Sequence, residues 1–338
     1  MTALPVPADG PAPSVRTLTV AKAINESLRG AMAADPRVVL MGEDIGRLGG
    51  VFRVTDGLQK DFGEHRVLDT PLAESGIVGT AIGLALRGYR PVVEIQFDGF
   101  VFPAYDQIVT QLAKMRARAG GRFGLPVVLR IPYGGGIGAV EHHSESPEAL
   151  FAHVAGLRVV TPSNARDAYG MLRAAIDCPD PVIFLEPKRR YYDKGEVDTG
   201  AAAEPLHAAR VVRPGRDATL VGYGPTVRSC LEAAAVAAEE GTSLEVVDLR
   251  SVSPIDFDTV EASVARTGRL VVVHEAPVFF GAGAEIAARI TERCFHRLEA
   301  PVLRVGGYHM PYPPSRTERD YLPDLDRILD AAERALAF

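Results

Sequence analysis

The sequence predicts an α/β protein made of two three-layer α/β/α domains, and three observations support this prediction. Short runs of β-branched residues alternate with segments of helical length, these runs are apolar throughout, and the pattern stops near residue 190 and begins again near residue 205. Strands this apolar are typical of a parallel sheet covered by helices on both faces. A length of 338 residues is enough for about two such domains.

The first unit is expected to form one open sheet. Its candidate strands are residues 38–41, 92–96, 127–131, 158–160 and 182–185. Its candidate helices are residues 19–34, 74–87, 101–117, 147–154 and 165–177. The alternation of the two sets is that of repeated β-α units, which place consecutive strands side by side and parallel.

A charged stretch, residues 186–205, then breaks the pattern and is predicted to be an exposed linker. The second unit has candidate strands at 219–223, 244–248, 270–273 and 302–304, and candidate helices at 225–240, 255–266, 281–296 and 324–336. The expected organisation is a flexible tail (1–16), a first domain (17–190), a linker (191–204) and a second domain (205–338).

Composition excludes several classes of protein. With 47% apolar residues, 24% charged residues and no apolar run near the roughly 18 residues of a membrane span, we expect neither a disordered nor a membrane protein. A net charge of -6 without a basic block argues against nucleic acid as a partner. The 3 cysteines form no C-x-x-C pair, and the Pro- and Ala-rich start carries no secretory signal, so a reducing cytoplasm is expected.

The most informative residue is Glu74, a lone glutamate between a proline turn and a helix of small and apolar residues. Residues 78–86 are apolar or very small, so the helix is expected to be buried on most faces. Burial is costly for a carboxylate, which therefore needs a partner or shares a proton with a ligand. The alternative is that Glu74 only stabilises the positive end of its helix.

A glycine-rich loop, residues 134–139, formally matches the G-x-G-x-x-[GA] fingerprint of dinucleotide-binding folds. No helix starts directly after it, and the next strand does not end in the acidic residue that binds a ribose, so nicotinamide binding remains only an alternative. The glycines more plausibly let a long loop pass close to a ligand and present His142 and His143. A metal at these adjacent histidines is not expected, because neighbours on a loop rarely direct both rings at one ion.

Several ordered segments of the chain carry a family resemblance. They are Gly42-Glu43-Asp44, residues 49–55, 69–74, 90–97 and 102–109, His143-Ser144, Ser146-Pro147-Glu148, Glu186-Pro187-Lys188, Val247-Asp248-Leu249-Arg250 and His274-Glu275-Ala276-Pro277. Taken together, from about residue 18 to residue 330, they resemble the β subunit of the thiamine diphosphate-dependent E1 component of 2-oxo acid dehydrogenase complexes. Residues 94–97 and 184–188 look closest to the branched-chain enzymes.

The resemblance implies a transketolase-like pyrimidine-binding domain followed by a transketolase C-terminal-like domain. It implies that Glu74 hydrogen-bonds N1′ of the cofactor's aminopyrimidine and promotes removal of the thiazolium C2 proton. It further implies that Phe100 packs on the pyrimidine, that Gln96 and Leu72 line the same pocket, and that Glu43 belongs to the nearby proton network.

His143 matches the histidine that handles protons while the acyl group passes to the lipoyl arm of the E2 acyltransferase. The family usually reads His-Ser-Gln-Ser, whereas this chain has Glu145 at the third position. We expect this acid either to raise the His143 pKa or to alter the docking of the lipoyl domain.

The metal ligands are expected elsewhere. Enzymes of this type hold the diphosphate through Mg2+ with a Gly-Asp-Gly motif, which the chain lacks, so the resemblance places the Mg2+ ligands on an α subunit. Family members can also hold a structural K+. The corresponding positions here are Leu125, Val127, Ala175, Cys178 and Asp180.

The resulting prediction is the β subunit of an E1 enzyme, active with its α subunit as an α2β2 heterotetramer that docks on E2. Branched-chain 2-oxo acids are the expected substrates, with pyruvate or acetoin as the alternative. A non-catalytic assembly subunit is the alternative from another functional class. The carboxylate of Phe338, the last residue, is expected to contact the subunit-binding domain of E2.

Overall fold

The structure is a computed structural model that describes residues 14–201 and 204–338. Residues 1–13 of the expected flexible tail lie outside the described residues. The strands are β1 (Val15–Thr19), β2 (Val38–Gly42), β3 (Val67–Asp69), β4 (Arg90–Glu94), β5 (Val128–Tyr133), β6 (Arg158–Val160), β7 (Val182–Pro187), β8 (Lys194–Asp198), β9 (Arg210–Arg213), β10 (Ala218–Gly222), β11 (Leu244–Asp248), β12 (Ser251–Ser253), β13 (Leu270–Pro277) and β14 (Leu303–Gly307). The helices are α1 (Val20–Ala34), α2 (Leu58–Phe62), α3 (Glu74–Leu86), α4 (Ala113–Arg118), α5 (Glu148–Ala152), α6 (Ala165–Asp177), α7 (Thr226–Glu239), α8 (Phe257–Thr267), α9 (Ala282–Cys294), α10 (Glu318–Tyr321) and α11 (Leu325–Leu336).

Each domain is built on one open sheet. The larger sheet has 7 strands in the order β12-β6-β7-β5-β4-β2-β3, and the smaller has 5 in the order β14-β13-β10-β11-β9. Neighbouring strands are parallel except at one edge of each sheet, where β12 runs antiparallel to β6 and β9 antiparallel to β11. The expected parallel sheets are therefore mixed, each with one antiparallel edge strand on an otherwise parallel sheet.

The two domains share strands and core. β12 lies beyond the start of the second domain in sequence but extends the sheet of the first. One apolar cluster also contains buried residues of both, among them Phe151 of α5 and Val260 of α8. The domains thus form a continuous hydrophobic interior.

The segment expected to be an exposed linker contains β8, which pairs antiparallel with β1. Tyr191 and Val197 are buried, whereas Glu196 and Asp198 on either side of Val197 are exposed. This alternation is that of a strand with one solvent face. It is hidden in the sequence by the many charged residues of the segment.

The single helix expected at residues 101–117 is wrong. The chain forms a 3-10 segment over Asp98–Ala104, a π-helical segment over Gln107–Leu112 and then α4. Pro103 provides the physical reason, because it lacks a backbone N–H and disfavours α-helical geometry at the residue before it.

No helix among residues 14–201 and 204–338 is both long enough and apolar enough to span a membrane.

Candidate active site

The predicted site residues lie on segments that leave the carboxyl ends of parallel strands. Glu43 directly follows β2, Glu74 lies five residues after β3, and Gln96 lies two residues after β4. His143 lies on the loop after β5, which is the next strand of the same sheet. Ligands of open α/β sheets bind at this edge.

Glu74 is the first residue of α3, and its side chain is only 6% exposed. Within the described parts of the chain, no side chain or backbone N–H donates a hydrogen bond to its carboxylate. The helix N-terminus favours a negative charge at this position, but it leaves the carboxylate oxygens available. Glu74 is thus a buried acid that can accept a ligand's hydrogen bond.

Glu43 lies close enough to Glu74 for the two charges to interact. Its Oε1 is buried and has no hydrogen-bond partner in the described structure. Burial raises the pKa of Glu43, and the nearby carboxylates of Glu74 and Asp44 raise it further. Gln96 is brought to the same place, with its Nε2 3.5 Å from Oδ2 of Asp44. Among the described residues, these two buried acids have no arginine or lysine in ion-pair contact, so a ligand can supply the missing donor.

Leu72 and one face of α3 are exposed in this single chain. The Leu72 side chain is 79% exposed, and Gly76, Thr80 and Gly83 form an open strip along the helix. Most of the rest of α3 is buried or half-buried, so the expectation that the helix is buried on most faces holds except along this strip. The sequence shows how apolar a helix is, but not whether the surface covering it comes from the same chain.

The ring of His143 lies against two phenylalanines. It stacks on Phe97 with ring centroids 3.9 Å apart and meets the edge of Phe100 at 5.0 Å. Its Nδ1 lies 2.9 Å from the carbonyl oxygen of His142, and since a carbonyl only accepts, Nδ1 carries the proton in this contact. Burial lowers the His143 pKa, so the ring is neutral near pH 7 and Nε2 can accept a proton.

The His143 pKa is lowered and not raised, contrary to one of the two effects expected of Glu145. The charges that act on His143 come from His142, Lys188 and Glu141, and the net pKa shift is downward. Burial, followed by the charge of Glu141, raises the pKa of Glu145 itself.

A buried ion pair between Asp98 and Lys188 supports this aromatic cluster, although neither residue was expected to have a role at the site. Lys188 Nζ donates to Oδ1 of Asp98, and the backbone N–H of Glu145 donates to Oδ2 at 2.9 Å. Burial raises the pKa of Asp98 to about 6 and lowers that of Lys188. The available signal was a lysine directly after an apolar strand, where a buried charge requires a partner.

The glycine-rich loop is not free to bind a pyrophosphate. The N–H of Gly136 and that of Gly138 donate to the two carboxylate oxygens of Glu318 at 2.7 and 3.1 Å. The N–H of Gly135 donates to Oε1 of Glu275. The nicotinamide alternative is therefore wrong, since carboxylates of the second domain occupy the amides that a dinucleotide would need.

The positions matched to a potassium site lie apart from these groups. The carbonyls of Leu125, Val127 and Ala175 already accept backbone hydrogen bonds. The carboxylate of Asp180 is paired with Arg116 and Arg158. In the part of the chain that the structure describes, no group of three or more His, Cys, Asp or Glu residues could hold a metal ion.

Comparison with known families accounts for almost the whole chain. Residues 16–194 match the pyrimidine binding domain of transketolase, and residues 207–328 match the transketolase C-terminal domain. A solved structure titled "Split gene transketolase, inactive beta4 tetramer" has the same fold, with a TM-score of 0.79, 22% identity and coverage of 95% of this chain and 98% of that chain.

Sequence relatives are much closer. The pyruvate dehydrogenase E1 component subunit beta of Leifsonia xyli is 61% identical, with 97% of each chain covered. The 3-methyl-2-oxobutanoate dehydrogenase subunit beta of Mycobacterium tuberculosis is 56% identical, covering 95% of this chain and 92% of the relative. The 2-oxoisovalerate dehydrogenase subunit beta of Pseudomonas aeruginosa is 44% identical, covering 96% and 97%. The chain therefore belongs to the β subunits of 2-oxo acid dehydrogenase E1 components, a family that uses thiamine diphosphate and in which the β subunit works with an α subunit.

Proposed function

We propose that this chain supplies the pyrimidine half of a thiamine diphosphate site at an interface with its α subunit. The observation that carries the proposal is the pair of buried acids, Glu43 and Glu74, which has no cation beside it among the described residues. An aminopyrimidine presents ring nitrogens and an amino group that can share a proton with such acids. When bound, the cofactor supplies the carbanion chemistry that decarboxylates a 2-oxo acid.

In this proposal Glu74 holds a proton at N1′ of the pyrimidine, and Glu43 extends the proton network. Phe100 packs on the ring, while Gln96 and Leu72 line the pocket. The high exposure of Leu72 supports a site that is closed only when another chain covers it.

The α subunit completes the site in an α2β2 heterotetramer and holds Mg2+. The support is that the chain lacks the Gly-Asp-Gly motif, while the apolar α3 has an uncovered face. We expect calorimetric titration of the isolated chain with thiamine diphosphate and Mg2+ to show no binding, and binding to appear once the α subunit is added. Micromolar binding by the isolated chain would contradict the shared site.

The proposed reaction is oxidative decarboxylation of a branched-chain 2-oxo acid, with acyl transfer to the lipoyl group of E2. The relatives from Mycobacterium and Pseudomonas support this substrate class. Pyruvate is the second candidate, because the 61% identical relative is a pyruvate dehydrogenase subunit. Comparing kcat/KM for 3-methyl-2-oxobutanoate and pyruvate in the reconstituted heterotetramer distinguishes the two, and acetoin belongs in the same assay.

His143 is proposed to handle protons during acyl transfer to the lipoyl arm. Its neutral ring and unused Nε2 support this role. We expect His143→Ala to slow transfer to a lipoyl domain at least as much as decarboxylation measured with an artificial electron acceptor. His142→Ala is the matched control, because His142 is an exposed neighbour of the same type. A loss confined to the artificial assay would contradict the role.

Docking on E2 is proposed to involve Phe338, whose side chain is 73% exposed at the end of the chain. The terminal carboxylate can form a salt-sensitive contact with a basic subunit-binding domain. If deletion of Phe338 leaves E2 affinity unchanged at low ionic strength, the terminus has no part in docking.

A K+ at residues 125–180 would have to be held mainly by carbonyls, since Asp180 is already paired with two arginines. A cytoplasmic location is proposed from the three cysteines, which are free in the described structure.

A further inference from the structure

The loop that carries His143 is held in place by the second domain. The loop covers residues 134–145, and its base is closed by the N–H of Gly134, which donates to the carbonyl of Glu145 at 2.9 Å. Near His143 it is fixed from within the first domain, because Asp98 accepts the N–H of Glu145. The opposite side of the loop is held from the second domain: within the described structure Glu275 accepts the N–H of Gly135, and Glu318 accepts those of Gly136 and Gly138.

Glu318 is built into this position. Its side chain is 6% exposed, both carboxylate oxygens accept loop amides, and Tyr312 also donates to Oε1 at 2.7 Å. Both oxygens therefore have defined partners from a loop about 180 residues away in sequence. Hydrogen bonds to a charged acceptor are roughly twice as strong as neutral ones, so this contact has the strength to fix a loop.

The contact of the loop with Glu318 and the side chains around it requires glycines in the loop. Gly136 and Gly138 have φ angles of 87° and 71°, which favour glycine. A Cβ at Gly135 would overlap the hydroxyl of Tyr312, and a Cβ at Gly136 would lie 2.7 Å from the side chain of Arg189. The motif that resembles a dinucleotide fingerprint is therefore a docking surface for an internal carboxylate.

We propose that Glu318 is a positioning residue for His143: by holding the amides of Gly136 and Gly138 it keeps the 134–145 loop in the conformation that stacks His143 on Phe97. The inference rests on the role proposed above for His143. Glu318 lies on α10 of the second domain and acts through the loop. The second domain thus contributes to the acyl transfer step of the first.

The test uses Glu318→Gln, with Glu292→Gln on the exposed surface of α9 as the matched control. In the full-length chain, hydrogen exchange read by mass spectrometry should become faster in peptides from residues 134–145 of Glu318→Gln and remain unchanged in Glu292→Gln. In the reconstituted complex, Glu318→Gln should slow transfer to a lipoyl domain about tenfold, the size of one lost charged hydrogen bond, with KM for the 2-oxo acid unchanged.

A double-variant comparison separates positioning from a general structural effect. In a His143→Ala background, Glu318→Gln should cause no further loss of transfer, because residues that act through one another are not additive. An equal loss in both backgrounds, or transfer by Glu318→Gln equal to that of the Glu292→Gln control, would overturn the inference. If His143→Ala transfers normally, the role of His143 itself fails, and this outcome is distinct because it does not involve Glu318.

Tyr312→Phe provides a milder variant if Glu318→Gln does not fold. It removes one donor to Glu318 and leaves both amide contacts in place. We expect faster exchange in the loop and a transfer rate between those of wild type and Glu318→Gln. Transfer and exchange both equal to wild type in a folded Tyr312→Phe variant, with Glu318→Gln unfolded, would overturn the inference.

Discussion

Two sets of buried carboxylates in the first domain differ in one respect, the presence of a cation. Glu94 and Glu186 both hydrogen-bond to the guanidinium of Arg130, at distances of 2.7 to 2.9 Å. Glu43 and Glu74 lie near one another with no arginine or lysine in ion-pair contact among the described residues. Burial raises the pKa of Glu94 and also that of Glu43. At Glu94 the charge of Arg130 opposes this rise, whereas at Glu43 no cation among the described residues does.

The difference separates scaffold from site. A buried carboxylate with a cation beside it already has a strong donor, and removing that cation leaves a costly charge. A buried carboxylate without a cation is expensive unless a ligand supplies the missing donor. The acids of the first kind hold the sheet together, and those of the second kind are available for chemistry.

The largest expected effect is on activity at the unpaired acid. Glu74→Gln keeps the shape of the side chain but cannot share the proton, so decarboxylation by the reconstituted complex should fall by about 10²- to 10⁴-fold. The thermal unfolding temperature should stay close to that of wild type. Near-normal turnover would show that Glu74 is not part of the mechanism and that a buried acid without a cation does not mark the site.

The next effect is on stability at the paired acids. Arg130→Met leaves Glu94 and Glu186 buried without a cation, and the free energy of unfolding should fall by about 3–5 kcal/mol. Urea denaturation of the isolated chain measures this change. The control is Arg37→Met, which removes an exposed pair with Asp35 and should cost less than about 1 kcal/mol. A loss at Arg130 no larger than at Arg37 would contradict the structural role.

The smallest effect is a stabilisation at the unpaired acids. The pKa of Glu43 is higher in the folded state than in the unfolded chain, so the folded state binds the carboxyl proton more tightly. The free energy of unfolding therefore decreases as the pH rises through the raised pKa and Glu43 loses this proton. Glu43→Gln removes this loss and should increase the free energy of unfolding at pH 8 by up to about 1 kcal/mol. Denaturation at pH 5 and pH 8 measures it, with the exposed Glu64→Gln as control. A lower stability of Glu43→Gln at pH 8 would show that the carboxylate has a partner after all.

The sequence was sufficient for features that depend on local pattern. The nine predicted strands lie close to their observed bounds, as does the start of α3 at Glu74, because apolar runs and helix starts are local signals. The short edge strands β3, β9 and β12 were not predicted. The family membership followed from long ordered matches. The roles of Glu74, His143, Phe100, Gln96, Leu72 and Glu43 stay predictions.

Features that depend on distant partners could not be predicted in this way. The pairing of β1 with β8 joins charged segments far apart in sequence, and β12 enters the sheet of the other domain. The same holds for Asp98 and Lys188, whose ion pair joins residues 90 positions apart. Nothing in either local pattern specifies the other member of the pair.

The open strip of small residues on α3 has a consequence for how the protein must be produced. A chain made without its partner carries an apolar helix with Gly76, Thr80 and Gly83 in contact with water, next to an exposed Leu72. Such surface promotes aggregation and attracts chaperones and proteases. We therefore expect the abundance of this chain in the cell to depend on balanced synthesis of its partner, and a surplus to be removed by quality control.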